Sequence, residues 1–188
     1  HRATPTGGPA TPTIPGSTPV STPTATATPQ GNTIIVPRGG SIADAIAQAP
    51  SGGTVVVSPG GTYGAFTLGS TSRQAPLTIL ADTTGALTGL SAGDVTIRAG
   101  DFRSGIELFD QRDIIIDGFT VIGGEVSGIL AVDSSNITIR NCTINNGGGD
   151  GLLFEVAQES LVFNNIIANN FGTGIGAFGS QSIRVINN

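Results

Sequence analysis

Residues 104–172 read SGIELFDQRDIIIDGFTVIGGEV, SGILAVDSSNITIRNCTINNGGG and DGLLFEVAQESLVFNNIIANNFG, which are three consecutive units of equal length. A fourth unit, TGIGAFGSQSIRVINN, occupies residues 173–188. Each unit opens with a polar residue followed by Gly and then Ile or Leu. A fixed period in this range is typical of a solenoid, in which each unit buries its apolar face only against its neighbours.

The repeating element is a short β-type run, because no helical spacing of three and four recurs within the unit. Twenty-three residues suffice for three short strands and three turns. Successive coils would pair in parallel at roughly 4.8 Å, and the crossover rule favours a right-handed coil. The sequence therefore predicts an all-β, right-handed parallel β-helix. In the second unit the strands are predicted at Gly128–Val132, Ile137–Arg140 and Cys142–Asn145.

One asparagine per coil occupies the same predicted corner, at Asn141, Asn164 and Asn187. Asn tolerates the left-handed conformation that a one-residue corner needs, and stacked amides can bond along the column. Gly118 holds this corner one coil earlier. The same spacing predicts an internal apolar column of Ile106, Ile129, Leu152 and Ile175.

One less regular coil precedes these units, with strands predicted at Gly64–Leu68, Leu77–Leu80 and Val95–Arg98. A Thr/Gly-rich loop, Asp82–Asp94, replaces its tight corner. Ahead of this coil, Ser41–Ala49 is the one predicted helix, with Ser41 as its N-cap and Pro50 after its end. We expect it to cap the open apolar end of the solenoid.

The run SIADAIAQAPSGGTVVVSPGGTYGAFTL (residues 41–68) resembles the N-terminal cap and first strands of the pectate-lyase-like superfamily of right-handed parallel β-helices. The downstream GI-x-L and NITIRNCTI patterns resemble its repeats. This resemblance implies a relationship to polysaccharide lyases, polygalacturonase-like hydrolases and uronan epimerases, and also to β-helix surface proteins without known chemistry. The motifs are cap and core positions, so the resemblance specifies the fold rather than an activity.

Composition constrains the partners. All eight basic residues are arginine and the formal charge is −5, which argues against nucleic acid as a partner. The sequence contains no run of eighteen apolar residues, so no membrane-spanning segment is predicted. Cys142 is the single cysteine, so no intrachain disulfide is expected, and its place in the repeat favours a buried hydrophobe over a reactive thiol.

Two domains are predicted. Residues 1–31, rich in Thr and Pro, are expected to form a disordered or extended linker. Residues 32–188 are expected to form the cap and about four and a half coils, the front portion of a longer solenoid. Thr/Pro tracts commonly separate a secreted module from an anchor or another domain, so the sequence predicts a secreted or cell-surface protein, monomeric or linked to further domains.

The resemblance places family active sites on the outer face of the strand that opens each unit. Alternation makes this face largely apolar, with Leu130, Val132, Leu153 and Phe178 among its members. Glu107 and Glu155 are the carboxylates there. At two coils apart, about 9.6 Å by the usual spacing, they would fit an inverting glycosidase pair, or they are solvated surface residues.

A second candidate site follows this strand. Asp110 and Asp133 lie one period apart, and Asp113, Asn136 and Glu159 form another oxygen-bearing column three residues later. With Arg112 adjacent, these residues would form a Ca²⁺ site, which is the one cofactor that the sequence suggests. The alternative is a set of solvated turn residues. Asp117 and Arg140 hold equivalent positions and are expected to form a cross-strand ion pair.

Two functions follow from these observations. The first is an extracellular, polysaccharide-binding or polysaccharide-processing β-helix. If it is an enzyme, we expect a polysaccharide lyase or glycoside hydrolase whose catalytic coils lie outside this chain. The second is a non-catalytic surface or adhesion solenoid displayed on a Thr/Pro stalk. The sequence specifies neither catalytic, substrate-binding nor metal-binding residues, nor which polysaccharide is bound.

Overall fold

The computed structural model describes residues 28–69 and 75–188. These residues form short strands and one helix, α1 (Ile42–Gln48). The strands are β1 (Thr28–Gln30), β2 (Thr33–Val36), β3 (Thr54–Val57), β4 (Gly61–Gly64), β5 (Phe66–Leu68), β6 (Leu77–Ala81), β7 (Val95–Arg98), β8 (Ser104–Phe109), β9 (Arg112–Asp117), β10 (Thr120–Ile122), β11 (Ser127–Val132), β12 (Ser135–Arg140), β13 (Thr143–Asn145), β14 (Asp150–Glu155), β15 (Leu161–Phe163), β16 (Ile166–Ala168), β17 (Ile175–Phe178) and β18 (Arg184–Ile186).

The strands form three sheets that the chain visits in turn. Sheet A has the order β1-β2-β3-β6-β9-β12-β15-β18, sheet B the order β16-β13-β10-β7-β4, and sheet C the order β17-β14-β11-β8-β5. All pairs are parallel except β1 with β2. The predicted parallel β-helix is therefore confirmed.

The described residues contain five complete three-strand coils, from β3 to β17, flanked by β2 and β18. The sequence predicted about four and a half coils. This number was too low because β3 and β4 were not predicted as a separate pair of strands. Their coil precedes the irregular coil, which contains the loop Asp82–Asp94. Thr54 pairs with Thr78, whereas Leu77 pairs with Ile114, which is much further along the chain because the loop Asp82–Asp94 intervenes.

The predicted register holds in the regular coils. Ile106 pairs with Ile129, Ile129 with Leu152, and Leu152 with Ile175. The first three of these side chains are at most 1% exposed, and Ile175 packs at the edge of the same core. Removing such side chains from water at about 25 cal/mol per Å² supplies the main driving force for stacking the coils.

The glycine at the second position of each unit is required by side-chain packing. A Cβ built on Gly128 would clash with Ile144 Cγ2, and one built on Gly151 would clash with Ile167 Cγ2. The isoleucines of sheet B therefore fill the space where these residues would carry a side chain. The Gly is repeated because sheets B and C approach each other closely at this position.

Four columns of residues in the regular coils adopt the left-handed conformation, with φ between +49° and +88°, and Gly124 adds one further positive φ of +106° there, outside these columns. The predicted corner is one of these positions, and there Asn164 Nδ2 donates to Asn141 Oδ1 at 2.6 Å and Asn187 Nδ2 to Asn164 Oδ1 at 3.2 Å. The predicted asparagine stack is confirmed. The four columns are Gly100, Gly123, Asn146 and Asn169; Asp110, Asp133, Val156 and Gly179; Asp113, Asn136, Glu159 and Ser182; and Gly118, Asn141, Asn164 and Asn187.

Helix α1 covers the first coil as predicted. The Ser41 side chain accepts a hydrogen bond from the Asp44 N–H at 3.1 Å, and Ile42, Ala45 and Ile46 are buried against the core. The helix contacts β2, β3 and β5, so it closes the apolar end. Among the described residues, no helix has the length and apolar character needed to cross a membrane.

The predicted linker boundary at residue 31 is wrong for its last residues. Thr28–Gln30 pairs antiparallel with Thr33–Val36 through a turn at Gly31, where φ is +61°. The physical reason is the free edge of β2, whose backbone groups β1 satisfies. Residues 1–27, the rest of the predicted linker, lie outside the described residues.

The left-handed columns predict that Val156 is strained, because its β-branched side chain suits φ of +55° poorly. The Val156 residue is 53% exposed, so replacing it removes little packing. Val156→Asn is expected to raise the free energy of unfolding by about 1 kcal/mol, measured by urea denaturation followed by circular dichroism. Val132→Asn is the matched control in an extended strand, and it should destabilise instead. Equal or lower stability of Val156→Asn would contradict the strain argument.

Candidate functional site

The outer face of sheet C does not carry the predicted glutamate pair. Glu107 pairs in register with Leu130, whereas Glu155 pairs with Val132, two residues further along the strand. The two glutamates therefore lie in different columns, and the spacing argument for an inverting pair was wrong. The Glu107 carboxylate accepts a hydrogen bond from Thr67 Oγ1 at 3.0 Å, which is a contact between coils.

The same face is less apolar at its surface than its sequence predicts. Leu130 is 0% exposed and Leu153 is 6% exposed, although both belong to the outward column. Phe178, in the last coil, is 62% exposed. Two of the side chains that define the predicted face are thus packed away from solvent.

The residues of the predicted Ca²⁺ site lie in two left-handed columns. Asp110 and Asp133 have φ of +50° and +49°, and their N–H groups donate to the carbonyls of Val132 and Glu155 on the next coil. The backbone of these residues therefore turns the chain while keeping its hydrogen-bond ladder intact.

The second column of this predicted site contains one side-chain hydrogen bond between its members. Asn136 Nδ2 donates to Asp113 Oδ1. Glu159 follows one coil later, with φ of +50°, and Arg112 lies in register with Ser135. Within residues 28–69 and 75–188, no group of three or more His, Cys, Asp or Glu residues is placed to hold a metal ion.

The Asp117–Arg140 pair is confirmed. Arg140 Nε lies 2.7 Å from Asp117 Oδ2, and Asn141 Nδ2 donates to Asp117 Oδ1 at 2.7 Å. The Arg140 guanidinium also lies over the Phe163 ring, 5.9 Å from its centroid. Three successive coils are thereby tied together through charge, amide and ring.

Cys142 is a buried structural residue, as predicted. It is 1% exposed, and its Sγ donates to the Arg140 carbonyl at 3.1 Å. Burial raises the pKa of this thiol to about 12, so it stays protonated at neutral pH.

An inner polar column begins one coil after Cys142, and sequence reasoning missed it. Asn165 Oδ1 accepts the Cys142 N–H at 2.9 Å, and Asn165 Nδ2 donates to the Ile139 carbonyl at 3.1 Å. Asn188 repeats the pattern by bonding to Asn165 N and to the Val162 carbonyl. The sequence signal for this column is the Asn-Asn doublet at residues 164–165 and 187–188. Only the first Asn of each doublet was assigned a structural role from the sequence.

A groove of about 550 Å³ lies where the loop Asp82–Asp94 interrupts the regular corner between sheets A and B. It spans three successive coils, from the end of β6 through Gly118 to Asn141. Its apolar lining comes from Leu80, Ala81, Leu87 and Phe119. Its polar lining consists of three carboxylates, four hydroxyls and one amide: Asp82, Asp94, Asp117, Thr83, Thr84, Thr120, Thr143 and Asn141. Sequence reasoning identified this loop as irregular and missed the groove.

Asp82 holds the groove wall in place. Its carboxylate accepts hydrogen bonds from Leu87 N at 3.0 Å, from Thr88 N and Thr88 Oγ1 at 2.8 Å each, and from Thr84 Oγ1 at 3.3 Å. Burial alone would raise the pKa of Asp82, but these hydrogen bonds outweigh it and lower the pKa below its ordinary value. The carboxylate is therefore ionised at neutral pH, and the loop folds around it.

The opposite wall is also rigid. Gly118 and Asn141 are left-handed corner residues, and Asn141 Nδ2 is fixed on Asp117. Leu87 projects from the loop and is 56% exposed. The groove therefore presents hydroxyls and an amide beside an exposed aliphatic side chain.

A second concavity of about 720 Å³ lies between sheets B and C in the last coils. Its lining consists of amides, glycines and one ring, from Asn146, Gly147, Gly148, Asn169, Asn170 and Phe171. Phe171 is 90% exposed, while Asn170 Oδ1 accepts the Gly147 N–H at 3.0 Å and so fixes the turn. None of the described residues that line this cleft carries a charge.

Comparison with known families agrees with this architecture. The model of a family described as a right handed beta helix region matches residues 70–188. The chain belongs to this right-handed β-helix family. Its parallel coils of about 23 residues are consistent with the pectate-lyase-like resemblance. No curated protein and no solved structure matches the chain.

The contacts of Asp82 predict that the groove wall of this β-helix becomes less stable at low pH. Asp82→Asn places an amide where three donors converge on Oδ2, and it should lower the free energy of unfolding by about 2 kcal/mol at neutral pH. Because the native pKa is depressed, the carboxylate stabilises the fold above its ordinary pKa of about 3.9 and loses this effect as pH falls through the native value.

Calorimetry from pH 7 to pH 2 measures this effect as the difference in Tm between the wild type and Asp82→Asn, which should narrow below about pH 4. Asp101→Asn is the control, because Asp101 is exposed and lies outside the groove. A Tm difference that stays constant with pH would show that the carboxylate charge is not what holds the loop.

Proposed function

We propose that this β-helix is an extracellular polysaccharide-binding module, and that its ligand binds in the groove beside the loop Asp82–Asp94. The observation that supports the proposal is the combination of hydroxyl, amide and carboxylate groups with an aliphatic wall in one open groove. Sugars present hydroxyls at their rims and C–H groups on their faces. A groove with both kinds of lining can therefore contact both.

The dimensions suit a chain-like ligand. A volume of about 550 Å³ falls within the usual range for ligand sites. The groove is open and crosses three coils, so a polymer can pass through it without its ends being bound. Thr120 and Thr143 lie in register on adjacent strands of sheet B, which gives two equivalent hydroxyls at one strand spacing.

Binding rather than cleavage is proposed for the described coils. Glycoside hydrolysis uses two carboxyl groups that face the scissile bond. In the groove, Asp82 is committed to the loop and Asp117 to Arg140 and Asn141. On sheet C, Glu107 and Glu155 lie in different columns. The side chains that the structure brings together are therefore suited to recognition.

The proposal predicts that the groove amide of Asn141 contributes to affinity through its second N–H and the second lone pair of Oδ1, because Asp117 and Asn164 use the first of each. Asn141→Gly keeps a residue suited to the left-handed corner, as Gly118 shows one coil earlier, and removes the amide from the groove. It should lower affinity for the bound polysaccharide about fivefold, since one hydrogen bond is worth roughly 1 kcal/mol. Affinity electrophoresis against a panel of soluble polysaccharides, followed by calorimetry on the one that binds, measures this change.

Asn164→Gly is the matched control, because it alters the same corner one coil further on and lies outside the groove. Both variants lose amide contacts of the asparagine column, so their stabilities should fall similarly while their affinities differ. Equal affinities would place the ligand elsewhere. Failure of every polysaccharide to bind would refute the proposed function.

We also expect the 188-residue chain not to cleave polyuronides. Lyase chemistry needs a cation to neutralise the uronate and a base beside C5, and the residues offered for these parts, Asp110, Asp133 and Arg112, are corner and strand residues. An assay for unsaturated product on pectate and alginate with added Ca²⁺ checks this. Activity that Asp110→Ala or Asp133→Ala abolishes would contradict it.

A further inference from the structure

The charge of the groove narrows the class of polysaccharide, on the assumption that the proposed function holds. Three carboxylates line the groove, from Asp82, Asp94 and Asp117. The salt bridge found among the described residues joins Arg140 to Asp117. Three negative charges against one positive charge leave the groove with a net charge of −2.

The hydrogen bonds of Asp82 leave its negative charge in place. The partners of Asp82 are the N–H groups of Leu87 and Thr88 and the hydroxyls of Thr84 and Thr88, all of them neutral donors. Asp94 is exposed at the foot of the same loop. In the part of the chain that the structure describes, no arginine lines the groove. A carboxylate that lies closer to a bound ligand than the Debye length of about 8 Å interacts with that ligand at physiological salt.

We infer that the groove selects glycans that carry free amino groups and rejects polyuronides. An ammonium group in the groove would meet the exposed Asp94 carboxylate and the field of Asp82. A uronate in the same place would be repelled by both, and the nearby Arg140 guanidinium is already held by Asp117. Like-charge contacts of this kind are a common basis of specificity.

As lined by the described residues, the second cleft is uncharged and offers a uronate no pairing charge either. Its described lining of amides and the Phe171 ring carries no positive charge that could pair with a uronate. A glycan that extends along the described coils would therefore meet no cationic subsite in either concavity.

The test compares ligands that differ only in charge. Calorimetry measures binding of a β-1,4-linked glucosamine hexamer, its N-acetylated counterpart and an oligogalacturonate of equal length, at a mildly acidic pH where the amines are protonated. The amino hexamer is expected to bind at least about tenfold more tightly than its N-acetylated counterpart. This preference should shrink as salt is raised, and the galacturonate should not bind.

Two matched variants assign the effect to the groove. Asp94→Asn removes one groove charge with little change in shape and should lower affinity for the amino hexamer about threefold more than affinity for the N-acetylated hexamer. Asp133→Asn removes the same charge from an exposed corner outside the groove, where φ of +49° suits Asn, and should change neither.

The outcomes separate the two claims. Equal binding of the amino and N-acetylated hexamers, or tighter binding of the galacturonate, would overturn the charge selection and leave polysaccharide binding intact. An equal loss in Asp94→Asn and Asp133→Asn would show that net charge, and not the groove, attracts the amine. Binding of no glycan in this set or in the wider panel would overturn the proposed function itself.

Discussion

Every regular coil of this β-helix must return to its starting point after one period of the repeat, and residues in the left-handed conformation make that closure possible. Four columns of such residues turn the chain between sheets without breaking the hydrogen-bond ladder. Asn141 shows how: its N–H donates to the Phe163 carbonyl on the next coil while its backbone turns the corner. If these corners opened, the internal column of Ile106, Ile129 and Leu152 would lose its register.

The sequence predicted the corners only where residue identity reported the conformation. Asn and Gly favour the left-handed region, so the column of Asn141, Asn164 and Asn187 was readable. Val156 and Glu159 occupy equivalent corners with φ of +55° and +50° and carry no such signal, because the neighbouring coils impose their conformation. The aspartates of the predicted Ca²⁺ site belong to the same two columns. Their spacing of one full period follows from the closure of the coil.

The fold was predictable to a greater extent than the candidate site for a related reason. Periodicity determines which side chains stack, so the inner columns and the Asp117–Arg140 pair followed from the sequence. Periodicity does not predict the structure of a segment outside the repeat, and the loop Asp82–Asp94 is such a segment. The four hydrogen bonds that Asp82 accepts come from Thr84, Leu87 and Thr88 within the same loop, and no repeated pattern indicates them. The groove appears only when the loop is folded back over Gly118 and Asn141.

A regular coil leaves little for a ligand to use, because its own neighbours occupy its polar groups. Asn136 bonds Asp113, Asn164 bonds Asn141, and Asn188 bonds Asn165, each within the ladder. Recognition therefore requires an interruption, and an interruption must supply its own stability. Asp82 does so with a buried charge satisfied by neutral donors, so these partners leave its negative charge in place. The contact that shapes the groove thus also makes it acidic, and a ligand of this groove must be compatible with that charge.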